Sequence, residues 1–302
     1  MRYNKTRKAL IFWCLFIGIG AVAGAIGMLI DPTGKAMGMD EMLPYFQVLP
    51  FANVLFKNFI FSGISLLIVN GITNITASIL LLKKKKLGII LGGIFGITLM
   101  LWITIQFVIF PMNFMSTTYF IFGFIQAITG YMCYVFYKQE TFKIDESKYT
   151  NIGTNTKEIV VYFSRMGYTK KVALETANES GAEILEIKTK EKTDGTLGFW
   201  WCGRFGMHGW AMPIEKIDKD LEKYDKVTIC TPVWVFGISG PIKEFCKEYS
   251  GKLKNVDYVL VHFMKAKFTV LADEMDDILK VKRGKVRTIC SRLGKIKKEQ
   301  VQ

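Results

Sequence analysis

Four long uncharged runs fill the first half of the chain: Ala9–Ile30, Phe59–Leu82, Leu87–Phe110 and Tyr119–Tyr137. About 20 apolar residues are enough for a helix to cross a bilayer, so each run predicts a transmembrane helix. The third and fourth are parted only by Pro111-Met112-Asn113, a turn signal. The first follows a basic start and contains Ala21-Val22-Ala23, as a signal peptide would. Its apolar run is longer than a signal core, and it reads as an anchor.

Beyond Lys157 the rhythm changes. Ile159-Val160-Val161-Tyr162-Phe163 is apolar or aromatic throughout, the pattern of a buried parallel strand. Ala182–Ile187, Val227–Cys230, Tyr258–Val261 and Val286–Cys290 read as further strands. Helical spacing appears between the later ones, at Ile242, Phe245, Cys246 and Tyr249, then at Phe268, Leu271, Met275, Ile278 and Leu279. Strands alternating with helices predict an α/β domain built on a doubly wound, parallel, five-stranded sheet. The expected organisation is a four-helix transmembrane domain over 1–137, a short linker over 138–156, and the α/β domain over 157–302.

Charge gives that picture an orientation. Arg2, Lys5, Arg7 and Lys8 precede the first run, and Lys83-Lys84-Lys85-Lys86 separates the second from the third. The segment between the first two runs sets Asp31, Asp40 and Glu41 against Lys35 and Lys57. By the positive-inside rule both termini are cytoplasmic and the chain is a multi-pass protein of the cell membrane. The net charge of +14 admits nucleic acid as a partner. The basic residues are dispersed and form no recognition motif, so nucleic acid is set aside and the lipid bilayer kept.

The runs contain no His, which excludes two-His haem ligation inside the membrane. They contain no Asp or Glu, which argues against a carboxylate proton relay. Asn70, Asn74, Gln106 and Gln126 read as hydrogen-bonding glue between helices, or as the lining of a small pocket. Gly88, Gly92 and Gly96 recur at four-residue spacing and suit close helix packing. The cysteines Cys14, Cys133, Cys202, Cys230, Cys246 and Cys290 show no metal-ligand spacing and read as small buried hydrophobes, with no metal site expected.

Candidate chemistry begins after the first strand, at Ser164-Arg165-Met166-Gly167-Tyr168-Thr169. A strand–loop–helix edge turns backbone N–H groups and hydroxyls outward at a helix N-terminus, where an anion is favoured. The spacing Ser-x-x-Gly-x-Thr lacks the Gly-Lys-Ser/Thr of a Walker loop and the three glycines of a dinucleotide fingerprint. It resembles the phosphate loop of flavodoxins, with Met166 in place of the usual hydroxyl residue. A plain strand–turn–helix remains the other reading of this loop taken alone.

A second stretch extends the resemblance. Tyr224-Asp225 leads through Val227 and Ile229 to Thr231-Pro232-Val233-Trp234-Val235-Phe236-Gly237, and Gly240-Pro241-Ile242 and Phe245 follow. This is similar to the second flavin-contacting loop of flavodoxin-like proteins and FMN-dependent quinone reductases. The stretch Thr196–Met212, with Phe199, Trp200, Trp201 and Trp210, is similar to an aromatic region of one branch of that superfamily. The resemblance covers about residues 157–300 and implies FMN as cofactor. It implies that Ser164, Gly167 and Thr169 bind the phosphate, with backbone donors from Arg165, Met166 and Tyr168. It also implies that Thr231, Pro232, Val233, Trp234, Phe236 and Gly237 border the ring.

Several features depart from the family. The loop His262–Lys267 lacks the Gly and Tyr that many flavodoxins place at the outer ring face. From Asn151 onward 27 Lys/Arg oppose 20 Asp/Glu, whereas electron-shuttling flavodoxins are acidic. Only Ser291–Gln302 follows the fifth strand, too short and polar for a closing helix, which leaves a patch of sheet for the membrane or a second copy of the chain to cover. The expected function is FMN-dependent electron transfer between a cytoplasmic donor and a quinone or membrane-bound acceptor. The competing expectation is a redox-sensing or partner-binding module that does not turn over.

Overall fold

The structure is a computed structural model that describes residues 2–264, 266 and 268–301. The chain divides into two units, Met1–Thr141 and Phe142–Gln302.

The first unit contains four helices long and apolar enough to cross a membrane, Arg2–Ile30, Ile60–Leu82, Lys86–Ile109 and Phe114–Thr141. The fourth begins earlier than its apolar run because Asn113 caps it: Oδ1 accepts the Ser116 backbone N–H at 2.8 Å. Ile19, Ile68, Ile97, Leu101, Ile105 and Ile128 are left exposed, while small residues and amides face inward. That inversion of the usual soluble pattern suits an apolar surrounding. A Cβ on Gly96 would lie 2.5 Å from the Ala127 nitrogen, and one on Gly130 would lie 2.3 Å from the Gly93 Cα. The third and fourth backbones therefore touch. Gln126 Nε2 donates to Asn74 Oδ1 and to the Gly92 carbonyl, both at 2.8 Å, tying three helices together.

In the second unit the strands are β1 (Asn155–Tyr162), β2 (Ala182–Glu186), β3 (Lys226–Trp234), β4 (Gly237–Ile238), β5 (Val256–His262), β6 (Arg283–Arg292) and β7 (Lys295–Val301). They form one seven-stranded sheet in the order β2-β1-β3-β5-β6-β7, with β4 on β3. The path from β2 to β6 is parallel, whereas β4 and β7 run antiparallel to their neighbours. The sheet is thus mixed, not five-stranded and all parallel. The segment after β6, too short for a helix, is a strand instead: Leu293 (φ 50°) and Gly294 (φ 81°) turn the chain back as β7. Two consecutive left-handed residues are what a two-residue hairpin requires.

The strands alternate sides. Ile159, Val161, Ile229, Tyr258 and Leu260 pack with the helices Gly240–Glu248 and Val270–Leu279. Val160, Tyr162, Cys230, Val259 and Ile289 face the helix Tyr168–Ser180. No helix follows β6 among the described residues, and the segment after the fourth long helix contributes cover instead. Ile152 packs against the second cluster, and the Phe142 ring sits so close to the β6–β7 turn that a Cβ on Gly294 would meet it at 2.2 Å. Of residues 138–156, read as a linker, 138–141 complete the fourth helix and Phe142 onward belongs to the second unit.

At the edge strand, Glu183 accepts hydrogen bonds from Lys219 Nζ and from the Tyr224 hydroxyl, the latter at 2.8 Å. The Lys219 bond, and next the Tyr224 bond, hold its carboxyl below the usual carboxylate range. A depressed carboxyl stabilises the fold above its unfolded pKa, and that contribution is lost as pH falls through the folded value. Glu183→Gln should therefore flatten the acid limb of a urea-midpoint-against-pH curve below about pH 4.3, the unfolded Glu value. Parallel acid limbs for the two proteins would contradict the assignment.

Candidate functional site

In the strand order β2-β1-β3-β5, the crossover that leaves β1 for β2 and the one that leaves β3 for β5 run in opposite directions, so the winding reverses between β1 and β3. Ligands of open α/β sheets bind beyond the carboxyl ends at such a reversal. The two loops singled out in the sequence leave these two strands. The structure brings them together: the Phe163 and Trp234 rings meet edge-on at 5.5 Å between centroids, and Phe163 N–H donates to the Cys230 carbonyl at 3.4 Å.

The first loop follows β1. Gly167 caps the next helix with φ +83°, a left-handed turn that a side chain would strain, and its carbonyl accepts the Lys171 N–H at 2.9 Å. Ser164 to Tyr168 are partly buried and Thr169 is buried in the first helical turn. Ser164 Oγ is buried and has no hydrogen-bond partner among the described residues, and the Tyr168 hydroxyl is in the same condition. Burial raises the Tyr168 pKa, so the phenol stays protonated and able to donate. Two buried hydroxyls without partners beside a helix N-terminus suit an anion with several acceptor oxygens.

The Arg165 guanidinium lies over the Phe199 ring at 5.3 Å. Burial pushes the neighbouring Cys202 thiol up to about 11, with the Arg165 charge pulling the other way. Lys170 pairs with Glu146 at 2.7 Å and Lys171 with Glu175 at 3.7 Å, so both lysines have carboxylate partners.

The second loop continues β3. Thr231 Oγ1 and Ser239 Oγ are fully buried and hydrogen-bonded at 3.0 Å, which pins the loop's two ends together. Pro232, Val233 and Trp234 are partly buried and Gly237 begins β4. Between them Val235 and Phe236 stand 48% and 64% exposed. Behind Trp234 lies the aromatic helix Gly195–His208: a Cβ on Gly206 would be 2.8 Å from the Trp234 carbonyl oxygen. One helix thus contacts Arg165 of the first loop and Trp234 of the second.

After β5, His262 Nδ1–H donates to the Met264 carbonyl at 2.6 Å, and its ring lies 4.8 Å from Phe268. Burial lowers the His262 pKa and favours the neutral imidazole. Lys265 and Lys267 of that loop lie outside the described residues. Phe142 is a neighbour that the sequence reading placed in a linker. Its ring packs edge-on against Tyr168 at 4.8 Å, and a Cβ on Gly167 would meet it at 3.3 Å. The alternation of Phe142 and Ile144 in a charged segment was the available signal. Ser239, the partner of Thr231, had no such signal.

No family model matches the chain, and no curated protein matches it. Among solved structures, the chain is similar to a flavoprotein from Lactobacillus acidophilus NCFM crystallised in complex with FMN. That match has 21% identity and TM-score 0.36, covering 41% of this chain and 87% of that one. It is also similar to a protein described as a flavoprotein from Bacteroides eggerthii DSM 20697 (21% identity, TM-score 0.38, covering 44% of this chain and 88% of that one). A third, described likewise, comes from Bacteroides uniformis ATCC 8492 (20% identity, TM-score 0.40, covering 46% and 96%).

Proposed function

We propose that the second unit binds FMN and that the chain is a membrane-anchored electron-transfer protein, passing electrons from a cytoplasmic donor to a quinone or membrane-bound acceptor. The observation that carries this reading is Ser164 Oγ, buried without a partner at the mouth of β1 where the winding of the sheet reverses. A hydroxyl in that position lacks only an acceptor such as a phosphate oxygen. Ser164, the loop N–H groups of Arg165 to Thr169 and the Tyr168 hydroxyl would hold the phosphate. Thr231, Pro232, Val233, Trp234, Phe236 and Gly237 would border the ring. Bound FMN supplies one- and two-electron chemistry; the chain's residues position it and exclude water. The four long apolar helices and the lysines between the second and third support a multi-pass placement with both termini in the cytoplasm.

The test uses the purified full chain in detergent, stripped of any flavin and titrated with FMN and with riboflavin. Ser164→Ala is expected to weaken FMN roughly tenfold to a hundredfold, the range for one charge-assisted hydrogen bond. Riboflavin, which has no phosphate, should bind both proteins alike. Equal FMN affinities would remove Ser164 from the phosphate site, and the absence of flavin binding by the wild type would end the reading altogether.

A further inference from the structure

The helical unit contains a partly open cavity of about 960 Å³ whose wall carries no charged side chain. Met28, Phe46, Phe61, Leu99, Trp102 and Ile109 make much of that wall apolar. Such a space takes an uncharged, largely apolar molecule, since an unpaired ion there would be strongly disfavoured.

One wall residue gives the occupant a polar end. Asn70 is 1% exposed, and its side-chain Nδ2 and Oδ1 both lack hydrogen-bond partners among the described residues. The contrast with the next turn of the same helix is direct. Asn74 Nδ2 donates to the Asn70 backbone carbonyl at 2.9 Å, and Asn74 Oδ1 accepts from Gln126 at 2.8 Å. Asn74 is the interhelical glue expected of such residues, and the Asn70 side chain takes no part in it. Asn70 also lies in Leu67–Ile72, where the helix widens to π geometry. Such widened turns recur at functional sites and re-aim the side chains that they carry.

An amide offers a donor and an acceptor side by side. It can donate to the carbonyl of a quinone and accept from the hydroxyl of the corresponding quinol, so one side chain serves both states. Trp102 and Tyr119 in the same wall suit a flat ring, and the apolar remainder suits a hydrocarbon tail. We infer that this cavity is a binding site for a lipid quinone, with Asn70 pairing to the ring oxygen. The choice of a quinone rests on the electron-transfer reading above, whereas the cavity and Asn70 stand without it.

The experiment uses the full chain in lipid nanodiscs, flavin-free and then loaded with FMN. The probes are a decyl-tailed benzoquinone and decylbenzene, which has the tail and ring without the oxygens; binding is followed by quenching and by thermal shift. The wild type is expected to bind the quinone saturably and at least about tenfold tighter than decylbenzene. Asn70→Leu should abolish that preference. Its melting temperature without ligand should stay equal or rise, because the side chain has no partner to lose. Equal affinities of wild type for the two probes would overturn the site and leave a crevice for acyl chains. A folded Asn70→Leu protein that keeps the preference would overturn the role of Asn70. If that variant does not fold, the comparison of the two probes on the wild type still decides the site. Quinone preference in a protein that never takes up FMN would fail the flavin reading and keep this site; FMN binding without quinone preference would do the reverse.

Discussion

Gly130→Leu should destabilise the helical unit by about 3 kcal/mol or more, the upper end of what overpacking costs. The reason is that the collision is with backbone. A Cβ at Gly130 would already lie 2.3 Å from the Gly93 Cα and 2.8 Å from the Gly93 nitrogen, and a main chain cannot rotate away as a side chain can. Alanine makes the cleaner probe. In a helix interior Gly→Ala normally stabilises by up to about 1 kcal/mol, so a loss at Gly130 must come from helix separation. Gly20→Ala provides the control, because its added carbon would meet nothing nearer than the Tyr119 hydroxyl at 4.0 Å. Thermal midpoints of the full chain in detergent should fall in the order Gly20→Ala, Gly130→Ala, Gly130→Leu. A Gly130→Ala protein as stable as the Gly20→Ala control would mean that the third and fourth helices do not meet as described.

That contact was half legible in the sequence. The spacing of Gly88, Gly92 and Gly96 marked a close-packing face, but on the fourth helix Gly123 and Gly130 stand seven residues apart, outside that four-residue spacing, and Gly130 acquires its meaning only from the partner that it touches. The same division holds in the second unit. The first strand, the turn into the helix after it and the Trp234 loop could be read because local signals coincide there: an apolar run, a glycine at a helix start and a turn after Pro232. β7 could not. Lys295–Val301 is too charged to look like a strand, and it is one because it pairs with an existing edge, where Arg287 holds Glu299 at 2.7 Å. The hairpin depended on Leu293-Gly294, a weak turn signal beside the usual Asn-Gly. Phe142 escaped for a related reason, since its partners Tyr168 and Gly294 are far away in sequence. Contacts between distant segments give no periodicity to detect.

The Val235-Phe236 turn predicts a gain of stability set against a loss of function. Val233 pairs with Ile238 and Trp234 with Gly237, which leaves these two residues as the entire turn. Their φ angles are 46° and 66°, the left-handed pair that such turns need and that Asn-Gly adopts at low cost. A β-branched valine there is a true outlier, with strain of about 1–3 kcal/mol. Burial does not offset it, because both side chains are substantially exposed and the Phe236 ring reaches only as far as Phe268, at 6.4 Å between centroids. Strain of this kind persists where an exposed side chain serves a ligand, and Phe236 is one of the residues proposed to border the flavin ring. Replacing the pair by Val235→Asn and Phe236→Gly should therefore stabilise the flavin-free second unit by about 2 kcal/mol, allowing for the lost aromatic contact. The same protein should bind FMN and riboflavin more weakly by a similar factor, since the ring end of the site is what changes. That pattern separates it from Ser164→Ala, which spares riboflavin. Denaturant midpoints of the second unit's transition in the full chain, measured beside both flavin titrations, decide the matter. A fall in stability would show that the turn is not strained as its angles indicate. A stabilised protein with unchanged flavin affinity would remove Val235 and Phe236 from the site.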